Sequence, residues 1–90
     1  MLYNEVMANH QIKIYSTKTC VYCKMVKEYL KSKGLDYEEI LLDEHPEEIQ
    51  ASLDSCGSMG VPCTHIKLED GREESILGFD KTRLDQLLGA

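Results

Sequence analysis

The segment Gln11-Ile12-Lys13-Ile14-Tyr15-Ser16-Thr17-Lys18-Thr19-Cys20-Val21-Tyr22-Cys23 changes its hydrophobic period midway. Gln11 to Ser16 alternates polar and apolar residues, the two-residue period of a half-buried strand. From Thr19 or Cys20 the period lengthens. Tyr22, Val26, Tyr29 and Leu30 recur at helical spacing, the pattern runs to about Lys33, and Gly34 is a natural stop. A strand passing directly into a helix predicts an α/β unit, with two cysteines where the strand gives way to the helix.

The chain on the C-terminal side extends that unit. Asp36 to Leu42 reads as a second strand, and its Ile40-Leu41-Leu42 end suggests burial on both faces. Pro46 suits the first turn of a second helix, and Glu47 and Glu48 suit its positive end. Ile49, Leu53 and Cys56 then fall at helical spacing before Gly57. Val61 to Leu68 is a third strand, Asp70-Gly71 a hairpin turn, and Arg72 to Leu77 the returning fourth strand. Gly78 and Asp80 lead into a last helix with Leu84, Leu87 and Leu88 on one face, and Asp80 is a good N-cap. The first two strands need a helical crossover and are expected to pair in parallel. The expectation is an α/β sandwich with one mixed sheet of four strands and three helices.

Ninety residues suffice for one domain with one modest core. The domain is expected over 11–90, with residues 1–10 as an N-terminal extension. A hydrophobic content of 42% against 29% charged residues excludes a disordered chain. The net charge of -6 argues against nucleic acid as the main partner. No apolar run is long enough to span a membrane. Met1 to His10 lacks the basic start and apolar stretch of a secretory signal, so a cytoplasmic location is expected.

In such a setting Cys20-Val21-Tyr22-Cys23 points to redox or metal chemistry rather than a structural bridge. Cys20 lies where a strand ends and a helix begins. The free backbone N–H groups of a helix N-terminus favour an anion there. A Cys20 thiolate is therefore stabilised, below the free-cysteine pKa of about 8.5. Lys18 and Lys24 add positive potential. Cys23, one turn on, shares its face and is placed to attack a mixed disulfide on Cys20. The roles are Cys20 nucleophile and Cys23 resolving thiol, with no metal and no bound cofactor required. The alternative is a zinc- or iron–sulfur-binding module using Cys20 and Cys23 as ligands, with Cys56, Cys63 and His65 as further candidates.

The sequence resembles the glutaredoxins of the thioredoxin superfamily, above all the small glutaredoxin-like redoxins of bacteria. The likeness is carried by Cys20-Val21-Tyr22-Cys23, by Gly60-Val61-Pro62 before the third strand, and by Gly78-Phe79-Asp80 before the last helix. It implies a thioredoxin-like three-layer sandwich and a thiol–disulfide oxidoreductase. It also implies a cis peptide before Pro62 and a substrate groove formed by Val61, Pro62, Gly78, Phe79 and Asp80, with Tyr22 and Lys18 at its edge. The partners it implies are a disulfide-containing protein substrate and an electron donor, either glutathione as co-substrate or a thioredoxin-reductase-type flavoprotein, with the protein acting as a monomer. Tyr22 and Asp80 match the family. Val21 stands where glutaredoxins have proline, Thr17 where they have lysine, and Phe79 where a small residue is usual. These departures favour the protein reductase as donor.

Cys56 continues the stripe of Ile49 and Leu53, which favours a buried unpaired thiol over a bridge to Cys63. Cys63 is expected in the sheet and His65 as a packed or partly exposed histidine. The acidic run from Glu38 to Glu48 reads as a solvated face able to steer a basic partner.

Overall fold

A computed structural model describes residues 11–88. Four strands and three helices alternate: β1 (Gln11–Ser16), α1 (Val21–Ser32), β2 (Glu38–Leu41), α2 (Ile49–Cys56), β3 (Cys63–Lys67), β4 (Glu73–Leu77) and α3 (Lys81–Leu88), with a 3₁₀ turn at Pro46–Glu48 leading into α2. The sheet order is β2-β1-β3-β4. β1 and β2 are parallel, as their helical crossover requires, whereas β1–β3 and β3–β4 are antiparallel. The expected extension at residues 1–10 lies outside the described residues.

The alternation within each strand sorts the core into two layers. Ile12 and Ile14 of β1, Ile66 of β3 and Ile76 of β4 pack with Val26, Tyr29 and Leu30 of α1 and Leu84 of α3. Tyr15 and Cys63 face the other way, with Leu42, and meet Ile49, Ala51 and Cys56 of α2. Two helices thus cover one face of the sheet and one the other, giving three layers. Each fully buried aliphatic side chain contributes ~2 kcal/mol against exposure, so Leu30, Ile14 and Ile66 weigh heavily in this small core. The Tyr29 hydroxyl donates to Asp85 and ties α1 to α3. Burial first, and then the Asp85 carboxylate, push the Tyr29 pKa up to about 12, so the phenol stays neutral.

The structure corrects four readings. Tyr22 is not part of the buried stripe of α1: it is 60% exposed, and Cys23, 1% exposed, takes the inward position with Val26 and Leu30. Cys23, Val26 and Leu30 are spaced by three and four residues and share one helix face, which Tyr22 does not. β2 is not buried on both faces, because it is the edge strand, and Ile40 and Leu41 are half-buried. Only Leu42, just beyond it, is buried. Cys56 is not an unpaired thiol: it is bonded to Cys63. The third strand also starts later than its hydrophobicity suggests, at Cys63, because Val61 and Pro62 form the entry to it.

At the hairpin, Gly71 adopts φ +94°, which only glycine takes without strain. The Asp70 side chain accepts the Arg72 N–H at 3.0 Å, closing the turn.

Candidate active site

Strand register gathers the sequence motifs at one end of the sheet. Tyr15 of β1 lies opposite Cys63 of β3, and Cys63 lies opposite Leu77 of β4. Ser16 lies opposite Leu41 of β2. The segments that follow β1, β2 and β4 and the one that precedes β3 therefore converge. They carry Lys18 and Cys20, then Asp43 and Glu44, then Gly78 to Asp80, and finally Val61 and Pro62. The Val61–Pro62 peptide is cis. Gly78 donates its N–H to the Pro62 carbonyl at 2.8 Å, joining two of the three motifs directly. Gly60 sits against Leu77, where an added Cβ would lie 3.4 Å from Leu77 Cδ1.

Cys20 is the N-cap of α1. Its backbone is extended, and its Sγ accepts the Cys23 N–H at 3.1 Å. One of the helix's unpaired donors is thus aimed at the sulfur, as expected of a cap. Cys20 is half-buried and Cys23 is buried, and the two are joined in a disulfide with Cα atoms 5.2 Å apart. The pair is shown in its oxidised state.

The surroundings of the pair fall into two parts. Val21 and Tyr22 expose apolar surface beside Cys20, with Met25 a turn further on, and Met59 exposes more on the loop before Val61. Lys18 is on the other side and is not directed at the sulfurs. Its ammonium pairs with Glu44 at 2.8 Å, and its N–H donates to Asp43 at 3.2 Å. The hydrogen bond and charge of Glu44 raise the Lys18 pKa. Phe79 is half-buried and packs toward the α1–α3 layer, so only part of its ring remains for a ligand. Asp80 accepts the Arg83 N–H at 3.1 Å and caps α3.

Ser16, at the end of β1, donates to Glu39 at 2.7 Å, and Lys27 of α1 donates to the same carboxylate oxygen at 2.9 Å. Glu39 thereby ties together the three elements that position Cys20. Burial alone would raise its pKa, but the hydrogen bonds from Lys27 and Ser16 outweigh burial and leave it lowered. This brace is invisible in a sequence that shows Glu39 only as one of an acidic run.

Among the described residues no three His, Cys, Asp or Glu side chains converge as a metal-binding group, and no cysteine is free. No helix among them is long and apolar enough to cross a membrane. A cavity of about 510 Å³ opens at the opposite end of the sheet, lined among others by Lys13, Tyr37, His65, Lys67 and Glu73. It contains no cysteine, whereas both disulfides lie toward the Cys20 end.

Known proteins share this chain's sequence pattern and fold. The glutaredoxin family model matches residues 12–69. A glutaredoxin-like 8.6 kDa protein in the rubredoxin operon of Clostridium pasteurianum is 40% identical over 77 residues, covering 86% of this chain and 96% of that one. The glutaredoxin-like protein NrdH of Lactococcus lactis is 35% identical, covering 84% of this chain and 97% of its own length. Among solved structures, the Escherichia coli NrdH-redoxin superposes with a TM-score of 0.70 at 28% identity, over 86% of this chain and 93% of that one. It was described as a glutaredoxin-like protein with a thioredoxin-like activity profile.

Proposed function

Because this chain belongs to the glutaredoxin family and is a thiol–disulfide oxidoreductase, we propose that it reduces protein disulfides with Cys20 as the attacking thiol and Cys23 as the resolving thiol. The observation that carries the assignment of roles is the Cys23 N–H aimed at Cys20 Sγ from the first turn of α1. It stabilises negative charge on Cys20 and none on Cys23. In the reduced protein, the Cys20 thiolate attacks a substrate disulfide and releases one substrate thiol. Cys23 then attacks Cys20, releases the second thiol and leaves the Cys20–Cys23 bridge seen here. The donor returns two electrons to that bridge, and the protein itself carries no bound cofactor. Val61–Pro62 and Gly78-Phe79-Asp80 receive an extended segment of substrate, and exposed Val21 and Tyr22 meet its apolar side chains.

The reading extends to a thioredoxin-reductase-type flavoprotein as donor, with glutathione a poor co-substrate, and to a monomer working in the cytoplasm. The donor reading is supported by the engagement of Lys18 by Glu44, which leaves that ammonium already neutralised, and by the acidic residues Asp43 and Glu44 beside the site. A free carboxylate entering there meets negative charge with no unpaired cation from Lys18 to offset it. The thioredoxin-like activity profile of the NrdH-redoxin from E. coli points the same way.

Mass spectrometry after reaction with a disulfide peptide tests the roles. Cys23→Ser should accumulate a mixed disulfide on Cys20, and Cys20→Ser should lose roughly a thousandfold or more in turnover. Substantial turnover by Cys20→Ser would overturn the assignment. For the donor, kcat/KM is compared with glutathione plus its reductase and with thioredoxin reductase. The flavoprotein should be the better donor, and Thr17→Lys should raise glutathione efficiency severalfold. Efficient wild-type turnover with glutathione would overturn the donor reading.

A further inference from the structure

The mechanism above uses one of the two disulfides. The second joins Cys56, the last residue of α2, to Cys63, the first of β3, with Cα atoms 6.1 Å apart. Four observations bear on what it does. Cys63 is wholly buried, whereas Cys56 is half-buried, so an external reagent meets Cys56 first. This division repeats that of half-buried Cys20 and buried Cys23. A backbone carbonyl stands beside each sulfur: Ile76 O is 3.8 Å from Cys56 Sγ, and Ser52 O is 3.7 Å from Cys63 Sγ. Bonded sulfurs have no proton to donate, but two thiols at these positions would each find an acceptor in place. Reduction thus creates no unsatisfied donor in the core. Finally, α2 ends independently of the bridge. Gly57, at φ +68°, donates to the Leu53 carbonyl at 2.7 Å, and Ile49 and Ala51 pack against the sheet.

We propose that Cys56 and Cys63 form a second exchangeable dithiol–disulfide pair that reacts with low-molecular-weight thiols and disulfides, so that the chain stores four electrons rather than two. A small thiolate attacks Cys56 Sγ. A new S–S bond forms between the thiol and Cys56, the Cys56–Cys63 bond breaks, and the electron pair leaves with Cys63, which takes up a proton beside the Ser52 carbonyl. A second small thiolate attacks the first one in the mixed disulfide and expels Cys56, which is protonated beside the Ile76 carbonyl. Two small thiols are oxidised to one disulfide, and the bridge becomes two thiols. In the reverse direction, a small-molecule disulfide is the oxidant. The pair lies at the same sheet end as Cys20, with Cys63 in register with Tyr15, yet its exchange needs no cysteine of the first pair.

The experiment uses the wild-type protein in buffers of graded reduced-to-oxidised glutathione ratio, quenched with acid, alkylated and digested with trypsin. Cleavage after lysine puts Cys20 and Cys23 in the peptide 19–24, and Cys56 and Cys63 in the peptide 34–67, so the pairs are read separately. The expected result is that peptide 34–67 passes from no alkylated thiols to two while the circular dichroism stays native. Transient glutathione adducts should map to Cys56. Cys63→Ala should trap that adduct, and Cys56→Ala should not form one on Cys63. A peptide 34–67 that stays bridged in the most reducing native buffer and opens only in denaturant would overturn the proposal. So would one that is never bridged, or adducts found on Cys63. Failure of peptide 19–24 to exchange, with peptide 34–67 exchanging normally, would overturn the role given to Cys20 and leave this proposal standing.

Discussion

The two cysteine pairs sit at opposite ends of helices. Cys20 is the N-cap of α1, and its sulfur accepts a backbone N–H at 3.1 Å. Cys56 is the last residue of α2, and its sulfur lies beside a backbone carbonyl at 3.8 Å. The helix dipole and the nearest backbone group therefore act together in each case and with opposite sign. They favour a thiolate at Cys20 and a thiol at Cys56. Both pairs place a half-buried sulfur outside a buried one, so access does not separate them. On the roles proposed above, two disulfides in one small core would differ in reactivity through backbone polarity, with the nucleophile at Cys20 and the exchangeable store at Cys56.

Rates of alkylation provide the strongest test of that contrast. In the fully reduced protein near neutral pH, Cys20 should react with iodoacetamide about tenfold faster than Cys56 or more, because only the thiolate is nucleophilic and helix-end effects reach ~2 kcal/mol. Peptide mapping after timed quenching gives both rates in one sample. Equal rates would mean that helix polarity does not set the difference.

Much of this frame is legible in the sequence, and the misses have physical causes. The strand-to-helix change at Cys20 shows because two periods meet there, and Asp80 as a cap shows because short acceptors at helix starts have few other uses. Tyr22 reads as buried because it is apolar, while the spacing of Val26 and Leu30 selects Cys23. Ile40 and Leu41 read as central because their apolarity says nothing about strand order, and β2 forms the edge. The bridge from Cys56 to Cys63 depends on α2 crossing β3 at 6.1 Å between Cα atoms, a distance that sequence spacing does not contain. The same holds for Lys18 and Glu44, which meet only because parallel register sets the ends of β1 and β2 side by side.

A smaller effect separates the supports of the two pairs. Both pairs carry their own covalent link, but the frame of the first is braced in addition by Glu39 through Ser16 and Lys27. Glu39→Gln should lower stability at neutral pH by about 1 kcal/mol, the net value of a charge-assisted hydrogen bond at a partly buried site. The carboxyl is held below the ordinary glutamate range in the folded protein. Its contribution is therefore complete above that range and disappears as pH falls through the lower folded value. The gap between wild type and variant in urea unfolding should be open at neutral pH and close in acid. A gap that stays constant through the acid range would show that the carboxylate charge is not what the brace uses.

The least effect is expected from Lys18, and its smallness is informative. If the contrast between Cys20 and Cys56 came from side-chain charge, releasing the ammonium two residues before Cys20 would sharpen it strongly. Glu44→Gln removes the partner at 2.8 Å and leaves Asp43, which holds the Lys18 backbone N–H rather than the ammonium. The lysine is charged near neutral pH with or without Glu44, since its pKa is raised by that partner from a value already well above neutrality. Only the local field changes. Lys18 is largely exposed, and charges in solvent are screened over about 8 Å at physiological salt. The alkylation rate of Cys20 should therefore rise less than about twofold at physiological ionic strength, and somewhat more when salt is removed. The rate at Cys56 should not move. A tenfold rise at Cys20, abolished by salt, would instead assign the contrast between the pairs to the Lys18–Glu44 couple and not to the backbone groups at the helix ends.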